Sequence, residues 1–252
     1  MVRAPNREFG EAEIMEQQPA NVSFSLLWPT VMMQSRFVDH LEEMKREVYR
    51  LNTLPNTITK SNYGGWQSDI NLHNNAAFRP LLDFVGGVCA QTFHVKGATF
   101  HQMWACINKK HDQNLIHSHT NNYNLSGVYY LNVPADSGEI VFRDPRPGAN
   151  QAPYRLFKDD GDSEYFTPSE GLVLLFPSYL EHFVLPNRSD EDRISMSFDL
   201  TLEVIPESDW AHPTSSAAVP RTPNSSRPCI LKLLSHQEYG GPGCKACASS
   251  HA

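Results

Sequence analysis

The segment Ile116-His117-Ser118-His119-Thr120 sets two imidazoles two residues apart, and a third histidine, His182, follows in Tyr179-Leu-Glu-His182-Phe183. On an extended chain, residues two apart point to the same side, so both rings of His117-x-His119 can reach one metal ion. A third ring arriving from a strand 65 residues after His117 would complete a facial set and leave other positions open for substrate and oxygen. Imidazole suits first-row metals, and an open facial site is the arrangement of non-haem iron oxygenases. The bland alternative makes each histidine an ordinary hydrogen-bonding group. What surrounds the three weighs against it. Arg193 follows eleven residues after His182 and two before Ser195. On one strand these two face the same way, so a guanidinium and a hydroxyl can grip one carboxylate, which the planar fork of Arg matches bidentately. The alternative is a surface ion pair in the charged run Arg188 to Arg193. An apolar strand begins directly after Arg193, however, which puts the side chain at a barrel mouth instead of a loop tip.

These groups need a frame. The stretch Arg36 to Leu51 reads as a helix, with Phe37, Leu41, Met44, Val48 and Leu51 at steps of four, three, four and three. A second helix is expected from about Ala76 to Ala90, weakened at its end by Gly86 and Gly87. After Gly97 the chain turns to short segments rich in β-branched and aromatic residues: Thr99 to Asn108, Leu125 to Val133, Glu139 to Arg143, Leu172 to Phe176 and Arg193 to Leu200. Ile194, Met196 and Phe198 alternate with Ser195, Ser197 and Asp199, the period of a half-buried strand. Helices followed by many short strands suggest a mainly β fold with flanking helices, a jelly roll buttressed on one face.

Composition narrows the function classes. A net charge of -7, with no basic block, argues against a nucleic-acid binder, which needs clustered Lys and Arg. The longest apolar runs, such as Leu172 to Pro177, are of strand length and far short of the roughly 20 residues of a spanning helix, and residues 1–20 lack an apolar signal core. Five cysteines, an odd number, point to reduced thiols and a cytoplasmic setting. Residues 1–24 read as a leader, and 204–252 as a Pro/Ser-rich tail. In the tail Cys229, Cys244 and Cys247 with His236 or His251 offer only a weak zinc signature. The stretch Pro147 to Pro168, with Tyr154, Arg155, Lys158 and the acidic Asp159, Asp160 and Asp162, is either a lid or a solvated linker.

The succession His117-x-His119, Leu125-Ser-Gly-Val-Tyr-Tyr-Leu131, Phe142-x-Asp144-Pro145-Arg146, Leu175-Phe-Pro-Ser-Tyr-Leu-Glu-His182, Pro186-Asn187 and Arg193-Ile-Ser-x-Ser-Phe198 resembles a bacterial, phage and algal family of uncharacterised 2-oxoglutarate/Fe(II) oxygenases. Ser61-Asn-Tyr-Gly-Gly-Trp-Gln-Ser68 and Trp104-Ala-Cys-Ile-Asn108 are similar to the same family's upstream signatures. The resemblance spans residues 25 to 203. It implies a double-stranded β-helix (a cupin-like jelly roll) over about 97–203, a helical buttress over about 36–92, ferrous iron, 2-oxoglutarate and O2. The implied reaction is hydroxylation of an unidentified substrate, small-molecule or peptidyl, with release of succinate and CO2. His117 and His182 match metal ligands and Arg193, with Ser195, the co-substrate anchor. The chain departs from the superfamily at the middle position, usually an acid. His119 there is either the third ligand or a supporting group behind the metal.

Asn108 and Tyr129, on strands flanking His117-x-His119, are further candidates for hydrogen bonds to the co-substrate, with core packing the alternative for Tyr129. Asn187 would brace the loop after His182, and Asp144 and Arg146 would pair near the site or only fix a turn. Two rival functions use the same barrel. One is a cupin-type three-His dioxygenase or isomerase without 2-oxoglutarate, which has no need of Arg193-x-Ser195. The other is a metal-free ligand-binding jelly roll.

Overall fold

The computed structural model describes residues 30–55, 58–119, 121–146 and 162–206. Its elements run in the order β1 (Met33–Arg36), α1 (Leu41–Asn52), β2 (Asn62–Tyr63), β3 (Trp66–Gln67), α2 (Arg79–Thr92), β4 (Val95–Asn108), β5 (Gln113–His117), β6 (Leu125–Asn132), β7 (Ile140–Arg143), β8 (Ser163–Phe166), β9 (Leu172–Pro177), β10 (His182–Val184) and β11 (Arg193–Val204). The strands form two sheets, β1-β9-β6-β11-β4-β3 and β2-β5-β10-β7-β8, with antiparallel neighbours throughout. Two antiparallel sheets with consecutive strands shared between them make the expected jelly-roll architecture.

Each face of the larger sheet carries its own core, and the alternation along β11 sorts the residues. Ile194, Met196, Phe198 and Leu200 join Met103, Ala105 and Ile107 of β4 under the helices, against Met44 and Val48 of α1 and Leu81, Leu82 and Val85 of α2. The opposite face looks toward the smaller sheet across Val128, Tyr130, Leu174 and Phe176, which pack on Ile140 and Phe142. The glycine in Leu125-Ser-Gly-Val is required by this packing: a Cβ at Gly127 would lie 2.3 Å from the ring of Phe198 and 2.6 Å from Leu175. Any side chain there would have to displace the Phe198 and Leu175 side chains, which reach over Gly127 from its register partners on β11 and β9.

The first helix begins at Leu41, not Arg36. Residues 33–36 pair instead with β9, the Phe37 amide donates to the Gly171 carbonyl at 2.8 Å, and His40 adopts a left-handed conformation (φ 61°) that ends the extended run. Phe37 is buried as its periodicity implied, but as the hinge before the helix. The second helix starts at Arg79, after a short 3-10 turn over Ala76–Phe78, because Pro80 fits only a first turn. It continues through Gly86 and Gly87 to Thr92. Strands β4 and β11 extend beyond their expected limits into one long ladder. The leader 1–24, the tail from 207 with its cysteines and histidines, and residues 147–161 lie outside the described residues. No helix among those described is long and apolar enough to cross a membrane.

Candidate metal centre

Strand β5 ends at His117 and β10 begins at His182, and the two residues are direct partners across the smaller sheet. His119 follows in the loop after β5, where its amide donates to the Ser178 carbonyl at 2.8 Å. The ring centroids stand 4.3 Å apart for His117–His182 and 5.2 Å apart for both His117–His119 and His119–His182. Ligand atoms of the three rings all lie within 4.8 Å of one another. The structure therefore brings together all three histidines that their spacing singled out.

Hydrogen bonds fix the tautomers. Nδ1 of His117 lies 2.7 Å from the Leu115 carbonyl and Nδ1 of His182 lies 2.9 Å from the Leu180 carbonyl. A carbonyl only accepts, so each Nδ1 carries the proton and each Nε2 keeps its lone pair. Nδ1 of His119 lies 2.5 Å from Oδ1 of Asp199, which puts a proton on that nitrogen and leaves Nε2 as the atom to ligate. Burial, then the neighbouring His117, hold His182 down to about 3, and burial also lowers His117. Neutral rings are what a metal requires. Three imidazoles with ligand atoms this close fit a divalent first-row ion by donor type and spacing. Phe176 and Phe142 wall His182 at ring distances of 4.9 and 5.6 Å, and Trp104 stands 5.5 Å from His119.

Arg193, only 1% exposed, lines an inner cavity together with all three histidines, Ser195, Ser197, Tyr130 and Asn114. Its Nη1 donates to the Ser137 carbonyl at 2.7 Å, with the carbonyls of Leu185 and Gly138 at 3.3 and 3.5 Å. Gly138 permits that cradle: at φ +86° a Cβ would stand 2.3 Å from the Leu185 carbonyl oxygen. No carboxylate among the described residues forms an ion pair with Arg193. The neighbours in its charged run are engaged elsewhere, Asp190 with Lys110 and Asp192 with Tyr49.

Other expected positions move. Tyr129 points away from the cavity into the helix-side core, donating to the Phe37 carbonyl at 3.0 Å, so it is a packing residue and not a co-substrate contact. Its neighbour Tyr130 faces the cavity instead. Asn108 stands one step back: its amide donates to Asn114 Oδ1 at 3.4 Å, Asn114 lines the cavity, and the Asn108 Oδ1 is buried without a partner. Asn187 braces the loop after β10, donating to the carbonyls of Asn108 and Glu191 at 2.9 and 2.8 Å. Asp144 and Arg146 pair with each other across two residues, with Arg146 at the surface. Spacing alone did not reveal Asp199, although it shares the parity of Arg193 and Ser195. A wider basin of about 720 Å³ opens before His117 and His119, bordered by Lys60, Gln67, Trp104, Ile116 and Tyr123.

Residues 102–199 match the model of the family described as "Putative 2OG-Fe(II) oxygenase". No curated protein matches the chain. Among solved structures, an oxidoreductase of the 2OG-Fe(II) oxygenase family from Burkholderia pseudomallei is 19% identical, covering 68% of this chain and 85% of that one at a TM-score of 0.50. HygX from Streptomyces hygroscopicus, solved with nickel, 2-oxoglutarate and hygromycin B, is 13% identical over 68% of this chain and 83% of its own, at 0.50. The α-ketoglutarate-dependent epimerase SnoN of nogalamycin biosynthesis is 14% identical, with 68% and 78% covered and a TM-score of 0.51. At such identities the likeness is one of fold.

Proposed function

We propose that this chain, whose residues 102–199 match the model of the family described as "Putative 2OG-Fe(II) oxygenase", is an Fe(II)- and 2-oxoglutarate-dependent oxidoreductase that hydroxylates a small-molecule or peptidyl substrate. The observation that carries the reading is Arg193: a buried guanidinium with no carboxylate partner among the described residues, in one cavity with three convergent imidazoles. A buried charge without a counter-charge is costly, and the carboxylate of a keto acid supplies one. His117, His119 and His182 would hold the iron, while Arg193 and Ser195 would take the far carboxylate of 2-oxoglutarate. Bound there, Fe(II) and 2-oxoglutarate supply the activation of O2, with succinate and CO2 as the co-substrate's products. The residues bind and orient: the carbonyl-bonded rings stay neutral, the Ser137–Gly138 and Leu185 carbonyls aim the guanidinium, and Phe142 and Phe176 keep water from His182. The substrate would occupy the basin beside Trp104 and Tyr123. We place the enzyme in the cytoplasm, a setting in which Cys89 and Cys106, both free and buried, remain thiols.

Anaerobic addition of Fe(II) and 2-oxoglutarate to the purified protein tests this reading. A visible charge-transfer band from the chelated keto acid, then substrate-stimulated succinate release in a metabolite and peptide screen, is the expected result. Iron retention without such a band would replace the reading by a cupin-type three-His enzyme. Failure to retain metal would leave a ligand-binding barrel.

A further inference from the structure

A divalent ion held by three neutral rings keeps its full double charge in a site walled by Phe142, Phe176 and Trp104. The three rings are not supported alike. His117 and His182 lean on neutral backbone carbonyls, whereas His119 alone leans on a carboxylate, Asp199 Oδ1 at 2.5 Å. That carboxylate is 2% exposed and also accepts from Ser126 Oγ at 2.7 Å, and Ser126 Oγ in turn lies 3.0 Å from Ser178 Oγ. The Ser178 carbonyl receives the His119 amide, which closes the arrangement onto the backbone of the ligand loop. Asp199 and Ser126 are register partners on β11 and β6, in the larger sheet, while His117 and His182 hang from the smaller one.

We propose that Asp199 is the positioning residue of the metal centre, fixing the ring of His119 through Nδ1 and supplying, through that ring, the negative charge that the three-imidazole set lacks. This rests on the reading of the three histidines as metal ligands. A carboxylate behind a ligating imidazole both sets its orientation and raises its basicity, and loss of such a partner costs ten- to hundredfold in metal affinity. The charge lies on this ring in particular because no other carboxylate among the described residues hydrogen-bonds any of the three.

The test is a titration of the full-length metal-free protein with Co(II), followed by its visible ligand-field spectrum. Asp199→Asn keeps the shape and removes the charge. It is expected to bind Co(II) about ten- to hundredfold more weakly and to give an altered spectrum, with the metal-free unfolding midpoint as the control for folding. A charge exchange then separates electrostatics from packing. His119→Glu alone sets a carboxylate against Asp199 and should bind poorly, while the double variant H119E/D199N should recover much of the wild-type affinity. Wild-type affinity and spectrum in D199N, or equal Co(II) binding by H119E with and without D199N, overturns the proposal while the histidine site stands. Failure of wild type to bind Co(II) overturns the site itself. Should D199N not fold, Ser126→Ala strips one of the two hydrogen bonds to Asp199 without touching its charge. Severalfold weaker Co(II) binding is then expected, and unchanged binding overturns the proposal.

Discussion

His117 and His182 face each other as register partners on β5 and β10, with ring centroids 4.3 Å apart, although 65 residues separate them in the chain. The smaller sheet's hydrogen bonds, not a local loop, therefore set their separation. Replacing either by Ala is expected to abolish stoichiometric Fe(II) binding and leave the barrel folded, because the main core lies on the far side of the larger sheet. Metal content after anaerobic reconstitution and far-UV circular dichroism read the two effects separately. Full iron occupancy in His182→Ala would remove that residue from the ligand set.

Acid sensitivity follows from the same burial. Because His182 is held at about 3 in the folded protein, against 6.5 for the free group, the unfolded chain takes up its proton first. The stability that this neutral ring contributes is complete above about 6.5 and declines as pH falls toward 3, by at most about 1.4 kcal/mol per pH unit. Urea midpoints of metal-free protein should fall across that window, and those of His182→Gln should fall less steeply. Parallel pH profiles for the two proteins would contradict the assignment.

Arg193 offers the clearest separation of co-substrate from metal. Arg193→Lys should weaken 2-oxoglutarate binding at least tenfold and Arg193→Met more severely, in line with a loss of about 2–5 kcal/mol for truncating a buried charge pair. Fe(II) binding should persist in both variants. Anaerobic titration of the charge-transfer band measures the affinity, and equal bands in wild type and Arg193→Met would exclude the anchor.

Adjacent tyrosines should behave oppositely. Tyr129→Phe removes the hydrogen bond to the Phe37 carbonyl and is expected to lower stability by about 1 kcal/mol, with co-substrate affinity unchanged. Tyr130→Phe alters the cavity wall beside Arg193 and should shift 2-oxoglutarate affinity with a smaller effect on stability. Denaturation midpoints and co-substrate titrations on the pair decide it.

Strand β11 ends at Val204, so truncation after Pro206 is expected to leave iron binding and co-substrate turnover intact. Loss of folding in the shortened chain would place the tail within the domain.

What the sequence made legible depended on how strongly each residue's type was tied to its neighbours. His117-x-His119 and His182 stood out through spacing, and β11 through its alternation of Ile, Met and Phe with Ser and Asp. Tyr129 and Tyr130 could not be assigned to faces because β6 is buried on both sides, and Ser126, which shares the parity of Tyr130, is itself fully buried and small enough to sit on either face. Strands β2, β3, β5 and β10 are two to five residues long, too short for a period, and β5 is largely polar although it carries His117. The start of α1 was masked by Phe37, whose burial fits a helical stripe yet arises from the turn before it. Asp199 hid as one more polar residue in an alternating strand, its carboxylate becoming visible only beside His119.

The alternation of β11 carries one more consequence. Arg193 and Asp199 are six positions apart, a span of roughly 20 Å along an extended chain, and both point inward only because that interval is even. Substitution at Ile194, Met196 or Phe198 disturbs a core. Insertion or loss of a single residue anywhere between the two would send one of them under the helices and cut the guanidinium's cavity off from the carboxylate behind His119. Within this stretch the strand works as a gauge whose length may change only by two, and whose ends keep anion grip and metal support in step.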